Sequence, residues 1–143
     1  MASDRELIEG LNEDLGFEYA AIITYRTYAS QVQGQWRVEL RGFFETEIPD
    51  ELGHAQLLAD KIVALGGTPT TRAAEVKSAE TARQMLENTL ADEVATIERY
   101  VARRKLAEEL GHHGLAVDLD DIIRDESNHR DEIRMILKRW DEG

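Results

Sequence analysis

The chain has 143 residues, a formal net charge of −12 and no cysteine. That length suits one domain with a real core, while the charge argues against nucleic acid, whose phosphates it would repel. The missing thiols exclude disulfides, thiolate metal sites and a rubredoxin-type iron centre.

Hydrophobic residues make up 42% of the chain and charged residues 32%, a globular rather than a disordered balance. Only two prolines are present. No period-2 alternation stands out, so the expected fold class is all-α. No apolar run approaches the ~18 residues of a membrane span, and the N-terminus lacks a signal-peptide pattern. A soluble, cytoplasmic protein without nucleic-acid or membrane partners is the expectation.

Ser3-Asp4-Arg5-Glu6 has capping-box spacing and predicts a helix from Asp4. Its apolar seam runs Ile8, Leu11, Leu15, Glu18, Ile22, Tyr25, Ala29 in steps of three and four, with Glu18 in the middle. A carboxylate there faces the core, where a charge is costly unless something pairs with it. The helix fades between Gln31 and Gly34. A second predicted helix begins near Gln35 or Trp36 and runs to about Leu65, with the seam Leu40, Phe44, Glu47, Glu51, His54, Leu58. Pro49 lies inside it and removes one backbone bond, so a kink or bulge is expected just before the acids. Gly66-Gly67 and Pro69 end the helix.

Thr68 to about Ser78 is a polar connector, longer than an antiparallel hairpin needs. Such a length suits a crossover along a bundle, joining two helices that run the same way. The third predicted helix covers about Glu80 to Leu110, with Leu86, Leu90, Glu93, Ile97, Tyr100 and Ala107 on its seam. Gly111-His112-His113-Gly114 breaks the chain. The fourth runs from Leu115 or Asp118 to Trp140, with Ile122, Glu126, His129, Ile133, Ile136 and Trp140 on its seam. The expected architecture is therefore one four-helix bundle over residues 1–143, with a long crossover between helices 2 and 3.

The two halves repeat with an offset of 75 residues. Asp50-Glu51-Leu52-Gly53-His54 answers Asp125-Glu126-Ser127-Asn128-His129. Glu18 stands 33 residues before Glu51, and Glu93 stands 33 before Glu126. Leu15, Ala20, Ile22 and Tyr25 answer Leu90, Ala95, Ile97 and Tyr100. On a helix, Glu and His three residues apart project from one face on adjacent turns. One Glu-x-x-His alone is an ordinary surface pair; two of them, with matched upstream acids on core seams, are a convergent set.

Four carboxylates and two imidazoles suit two divalent cations, whose charge of +4 balances the acids' −4. Fe(II), Mn(II) and Zn(II) all accept such donors, although zinc has no redox chemistry. The natural arrangement has Glu51 and Glu126 between the metals, Glu18 and Glu93 terminal, and His54 and His129 on one metal each. Asp50 and Asp125 are candidates to orient the histidines. Tyr25 and Tyr100 lie seven residues beyond Glu18 and Glu93 on the same seams, near enough to donate a hydrogen bond or an electron. Glu47 lies one turn before Glu51 and is a candidate to hold a further cation on its way in. His112 and His113 read as capping or exposed residues, and Trp36 and Trp140 as packing residues.

These residues resemble the bacterioferritin branch of the ferritin-like superfamily, from about Arg5 to Trp140. The resemblance rests on Leu11-Asn12 through Glu18 and Tyr25, Glu51-x-x-His54-Ala55, Leu65-Gly66-Gly67-x-Pro69, Glu93, and Arg124-Asp125-Glu126-x-x-His129. It implies Glu18, Glu51, His54, Glu93, Glu126 and His129 as metal ligands and Tyr25 as a site-adjacent phenol. It also implies ferroxidase chemistry, in which two iron ions per subunit are oxidised by dioxygen or peroxide and passed to a mineral store. Bacterioferritins ligate haem through a Met directly after the helix-2 Glu; Leu52 stands there, so no haem is expected. They also carry a fifth helix after the fourth, and here the chain stops at Gly143. The expected homo-oligomer ranges from a dimer to a cage. Rubrerythrins are less similar, since their extra third-helix Glu would fall at Thr96, and mini-ferritins lay out their ligands between subunits. A di-metal oxidase or peroxidase that stores nothing, and a non-catalytic metal-binding bundle, are the alternative functions.

Overall fold

In the computed structural model, which describes residues 1–142, the chain is four long helices: α1 (Asp4–Gln31), α2 (Arg37–Ala64), α3 (Ala82–Glu109) and α4 (His113–Leu137). A short 3₁₀ turn, Trp140–Glu142, follows. No strand occurs among the described residues, and no helix is long and apolar enough to cross a membrane.

Local chemistry accounts for the helix ends. Ser3 caps α1 by accepting the backbone N–H of Glu6 at 3.2 Å. Thr81 and Gln84 form a reciprocal capping box that starts α3 two residues later than Glu80. Gly111 closes α3 with φ +82°, a conformation that costs glycine little. The fourth helix then starts at His113, earlier than the glycine at 114 suggests. Gly114 falls in the first turn, and Leu115 and Ala116, buried directly after it, hold that turn in place. At the other end Arg139 takes φ +62°, so α4 stops at Leu137 and Trp140 folds back onto the bundle rather than continuing the helix. Helix α2 runs unbroken through Pro49, which lies on its exposed side.

The connector explains the topology. Asn12 on α1 accepts the N–H of Thr70 at 2.7 Å and donates to the carbonyl of Thr68 at 3.0 Å. Further along α1, Ala74 donates to the carbonyl of Gly16, and Tyr28 donates to that of Lys77. From Asn12 to Tyr28 a helix climbs about 24 Å, so the connector travels most of the length of α1. It delivers α3 to the end where α2 began, and α2 and α3 run the same way. Gly16 permits the close approach: a Cβ there would sit 3.2 Å from the carbonyl of Arg72.

Helices α1 and α2 form one hairpin and α3 and α4 the other. Their seams build two apolar clusters. One gathers Leu7, Leu11, Leu15, Leu58, Ile62, Leu115 and Leu119, and the other gathers Tyr25, Tyr28, Phe44, Leu86 and Ile133. Residues in both clusters are almost wholly removed from water, at roughly 1.5–3 kcal/mol for each large side chain. The acids of the two seams lie between the clusters.

Candidate metal centre

All four helices contribute to that intervening layer. Glu18 comes from α1, Glu51 and His54 from α2, Glu93 from α3, and Glu126 and His129 from α4. Every one of the six is buried, none more than 7% exposed. Ligand atoms of Glu18, Glu51, His54 and Glu126 lie within 4.8 Å of one another, and so do those of Glu51, Glu93, Glu126 and His129. Glu51 and Glu126 therefore belong to both groups, while each remaining Glu and His belongs to one. The equal spacing in the two halves thus brings together two overlapping groups of acids and imidazole, each of which could hold a cation.

The supporting groups cross between the hairpins. His54 and Asp125 Oδ2 are 2.9 Å apart through Nε2, and His129 and Asp50 Oδ2 are 3.0 Å apart in the same way. A carboxylate only accepts, so Nε2 of each ring carries the hydrogen and Nδ1 is the nitrogen turned to the centre. Tyr25 donates to Glu93 at 2.8 Å, and Tyr100 donates to Glu18 at 2.6 Å. Each half's aspartate thus serves the other half's histidine, and each half's tyrosine serves the other half's upstream acid.

The inner atoms are left over. Glu18 Oε2, Glu51 Oε1, His54 Nδ1, Glu93 Oε2, Glu126 Oε1 and His129 Nδ1 are buried and have no hydrogen-bond partner. Nδ1 of His54 lies 3.0 Å from Glu126 Oε1, without hydrogen-bond geometry. Buried polar atoms are nearly always satisfied; six orphans on residues of these two overlapping groups fit a donor set for cations. Hard carboxylate oxygens with borderline imidazole nitrogens match first-row divalent ions.

The titration of the cluster shows the same need for positive charge. Burial, and next the charges of neighbouring glutamates, push Glu51 and Glu126 well above the ordinary carboxylate range. Burial would lower the histidines, but the acids facing them outweigh it: Glu126 and Glu18 for His54, Glu47 and Glu93 for His129. Both rings rise to about 11. Burial works to raise Glu93 too, yet its neighbours Glu126 and His129, and the hydrogen bond from Tyr25, hold it below its ordinary value. Burial first, and then the adjacent glutamates, raise both tyrosines, so their phenols keep their protons and donate.

Glu47 is also buried, and its Oε2 lies 2.6 Å from Nε2 of His129. With Asp50 and His129 it forms a third group of close ligand atoms. Leu52 is 53% exposed, turned about 100° around α2 from Glu51. His112 pairs with Asp4 at 2.8 Å, far along the chain from the acids, and His113 is exposed. One feature escapes sequence reasoning: Asp14, one turn before Glu18, is buried against Arg103 at 2.8 Å and ties α1 to α3 beside Tyr100. Between the same two helices, under the connector, a cavity of about 460 Å³ reaches the four glutamates. Phe17, Ala20, Ala21, Ala95 and Arg99 are among its lining residues.

A crossover four-helix bundle carrying this carboxylate–histidine layer defines a ferritin-like protein. The chain matches the ferritin family, described as a ferritin-like domain, over residues 8–142, and it belongs to that family. Within it the chain stands with the bacterioferritins. The bacterioferritin BfrA of Mycobacterium tuberculosis (strain ATCC 25618 / H37Rv) is 31% identical over 143 residues, covering 99% of this chain and 89% of that one. A ferritin-like di-iron-carboxylate protein of Bacillus anthracis, known from its crystal structure, superposes with a TM-score of 0.93 at 51% identity, covering 96% of this chain and 99% of that one. A dodecameric, bacterioferritin-related thioferritin of Bacteroides fragilis gives a TM-score of 0.87 at 25% identity, covering 98% and 89%.

Proposed function

We propose that this protein is a ferroxidase that takes up Fe(II) and oxidises it with dioxygen or hydrogen peroxide, for iron storage or detoxification. In this reading Glu18 and His54 hold one ion, Glu93 and His129 hold the other, and Glu51 and Glu126 lie between them. Two Fe(II) supply two electrons, which with two protons reduce dioxygen to hydrogen peroxide or hydrogen peroxide to water. The observation that carries the reading is the set of six buried, unpartnered donor atoms that four helices gather on residues of two overlapping groups.

The rest of the site has work in the same scheme. Asp125 and Asp50 fix the ring orientation of His54 and His129, which keeps Nδ1 free for metal. Tyr25 is the catalytic phenol: it donates a hydrogen bond to Glu93 and so sets the orientation of that acid beside the reacting ions. The cavity between α1 and α3 gives a small oxidant a path to the acids. Leu52 offers no atom that ligates haem iron, so the reading is haem-free. By analogy with the dodecameric relative, the chain works as a homo-oligomer, between a dimer and a cage.

The test is to add Fe(II) aerobically to metal-free protein and follow the ultraviolet ferric-oxo absorption. Glu51→Ala and His54→Ala should lose the rapid phase. Either variant oxidising iron as fast as the parent would sink the assignment. Size-exclusion chromatography with iron analysis then separates storage from simple oxidation. A hollow multimer holding many irons per chain supports storage, and a dimer holding about two per chain supports a non-storing oxidase.

A further inference from the structure

The offset of 75 that relates the two halves pairs almost every residue of the centre with a like residue: Glu18 with Glu93, Tyr25 with Tyr100, Asp50 with Asp125, Glu51 with Glu126, His54 with His129. Glu47 is the exception. Its counterpart is Ile122, which is 2% exposed and belongs to an apolar cluster. The consequence falls on one ring only. Nε2 of His129 faces two carboxylates: Asp50 Oδ2 at 3.0 Å, its hydrogen-bond partner, and Glu47 Oε2 at 2.6 Å, a close contact without hydrogen-bond geometry. Nε2 of His54 faces one, Asp125 Oδ2 at 2.9 Å.

We infer that Glu47 is a positioning residue that makes the two metal positions unequal, so that the position served by His129 binds a divalent cation more tightly than the one served by His54. The inference rests on the metal-site reading above and adds to it an order of filling. Two physical effects act together. Asp50 already holds the ring by its hydrogen bond. The Glu47 carboxylate, close against the same Nε2, polarises the imidazole and makes the opposite nitrogen a stronger donor. Loss of a carboxylate behind a ligating histidine typically weakens metal binding by about 10–100-fold. In addition, Glu47 is only 7% exposed, so its charge acts on the adjacent position with little screening by water. Ile122 provides neither effect on the other side.

The experiment is a titration of the metal-free full-length chain with Co(II) alone, read by its visible absorption, in the parent and in Glu47→Gln. Repulsion between neighbouring ions separates the two binding steps in both proteins, so the difference between proteins isolates Glu47. The expected result is two Co(II) per chain in each, with the first step weakened about tenfold or more in the variant and the second little changed. Glu47→Ile, which copies the other half, should do the same. In a His129→Ala background Glu47→Gln should have a smaller effect than in the parent, because only the loss of charge remains, whereas in His54→Ala it should keep its full effect. Equal weakening of both steps, or none, overturns the inference. So does a parent that binds three Co(II) and a variant that binds two, which would make Glu47 the ligand of a third ion. Protein that binds two unequal Co(II) but fails to oxidise Fe(II) loses the ferroxidase reading and keeps this one; protein that binds no Co(II) loses both.

Discussion

Metal-free protein should lose stability as pH rises above neutrality, and bound metal should remove that loss. In the folded chain His54 and His129 keep their protons up to about 11, whereas an unfolded histidine releases its proton near 6.5. Between those values the folded state binds more protons than the unfolded one, so raising the pH favours unfolding. Glu51 and Glu126 act in the same direction from the ordinary carboxylate range upward. Glu93, which is lowered, acts oppositely and only in acid. Because these groups titrate together, one net excess proton is the minimum effect. One proton corresponds to about 1.4 kcal/mol per pH unit, a fall in Tm of roughly 3–6 °C per unit for a chain of this size. Thermal melts of chelator-treated protein between pH 7 and 9 should therefore drop by roughly 6–12 °C. Saturating Mn(II) replaces the protons, flattens the profile and releases acid measurable in a pH-stat. At free metal about 100 times the dissociation constant, two sites contribute about 5 kcal/mol, or roughly 10–20 °C. A metal-free Tm that stays level or rises between pH 7 and 9, with no acid released on loading, would refute the reasoning.

Asp125→Ala removes the only carboxylate behind His54 and should weaken one of the two Co(II) positions by about 10–100-fold; an unchanged titration would show that Asp125 merely faces solvent. Tyr25→Phe should slow iron oxidation while leaving two Co(II) bound per chain, and an unchanged rate would remove Tyr25 from the chemistry. Ala21→Phe projects a ring into the cavity between α1 and α3. It should slow oxidation by dioxygen without altering Co(II) binding, and equal rates would point to another route for the oxidant. Protein produced with excess haem precursor should show no Soret band; a stoichiometric one would mean that a residue other than Leu52 ligates haem.

The six residues stand out in the sequence because each lies on a helical seam that also carries apolar residues such as Leu15, Ile22, Leu58, Leu90, Ile122 and Ile133. A charge in such a place demands an explanation, and equal spacing in both halves supplies it. The partners of those donors are another matter. Asp50 adjoins Glu51 in the chain, yet it serves His129, which belongs to the other hairpin. Tyr25 shares a seam with Glu18 but bonds Glu93. These pairings depend on how the hairpins face each other, which the crossover along α1 decides, and helix periodicity carries no information about it. The same limit explains Asp14, whose partner Arg103 lies on α3. Helix ends depart from expectation where a local rule meets packing: Gly114 reads as a breaker, but Leu115 and Ala116 are buried and carry the helix through it.

Crosswise support also makes the two hairpins dependent on each other. A single hairpin presents two glutamates and a histidine, but its ring has no carboxylate behind it and its upstream acid has no phenol. The centre is complete only when the hairpins dock. Docking is driven by the apolar clusters on either side, and it carries four acids out of water between them. Those acids tolerate burial when positive charge accompanies them, as protons on His54, His129, Glu51 and Glu126 or as two cations. On the proposed reading, metal binding and hairpin docking are therefore linked equilibria, and protons and divalent cations compete for the same layer. In the same reading, this layer takes up cations by giving up the protons that stand in for them.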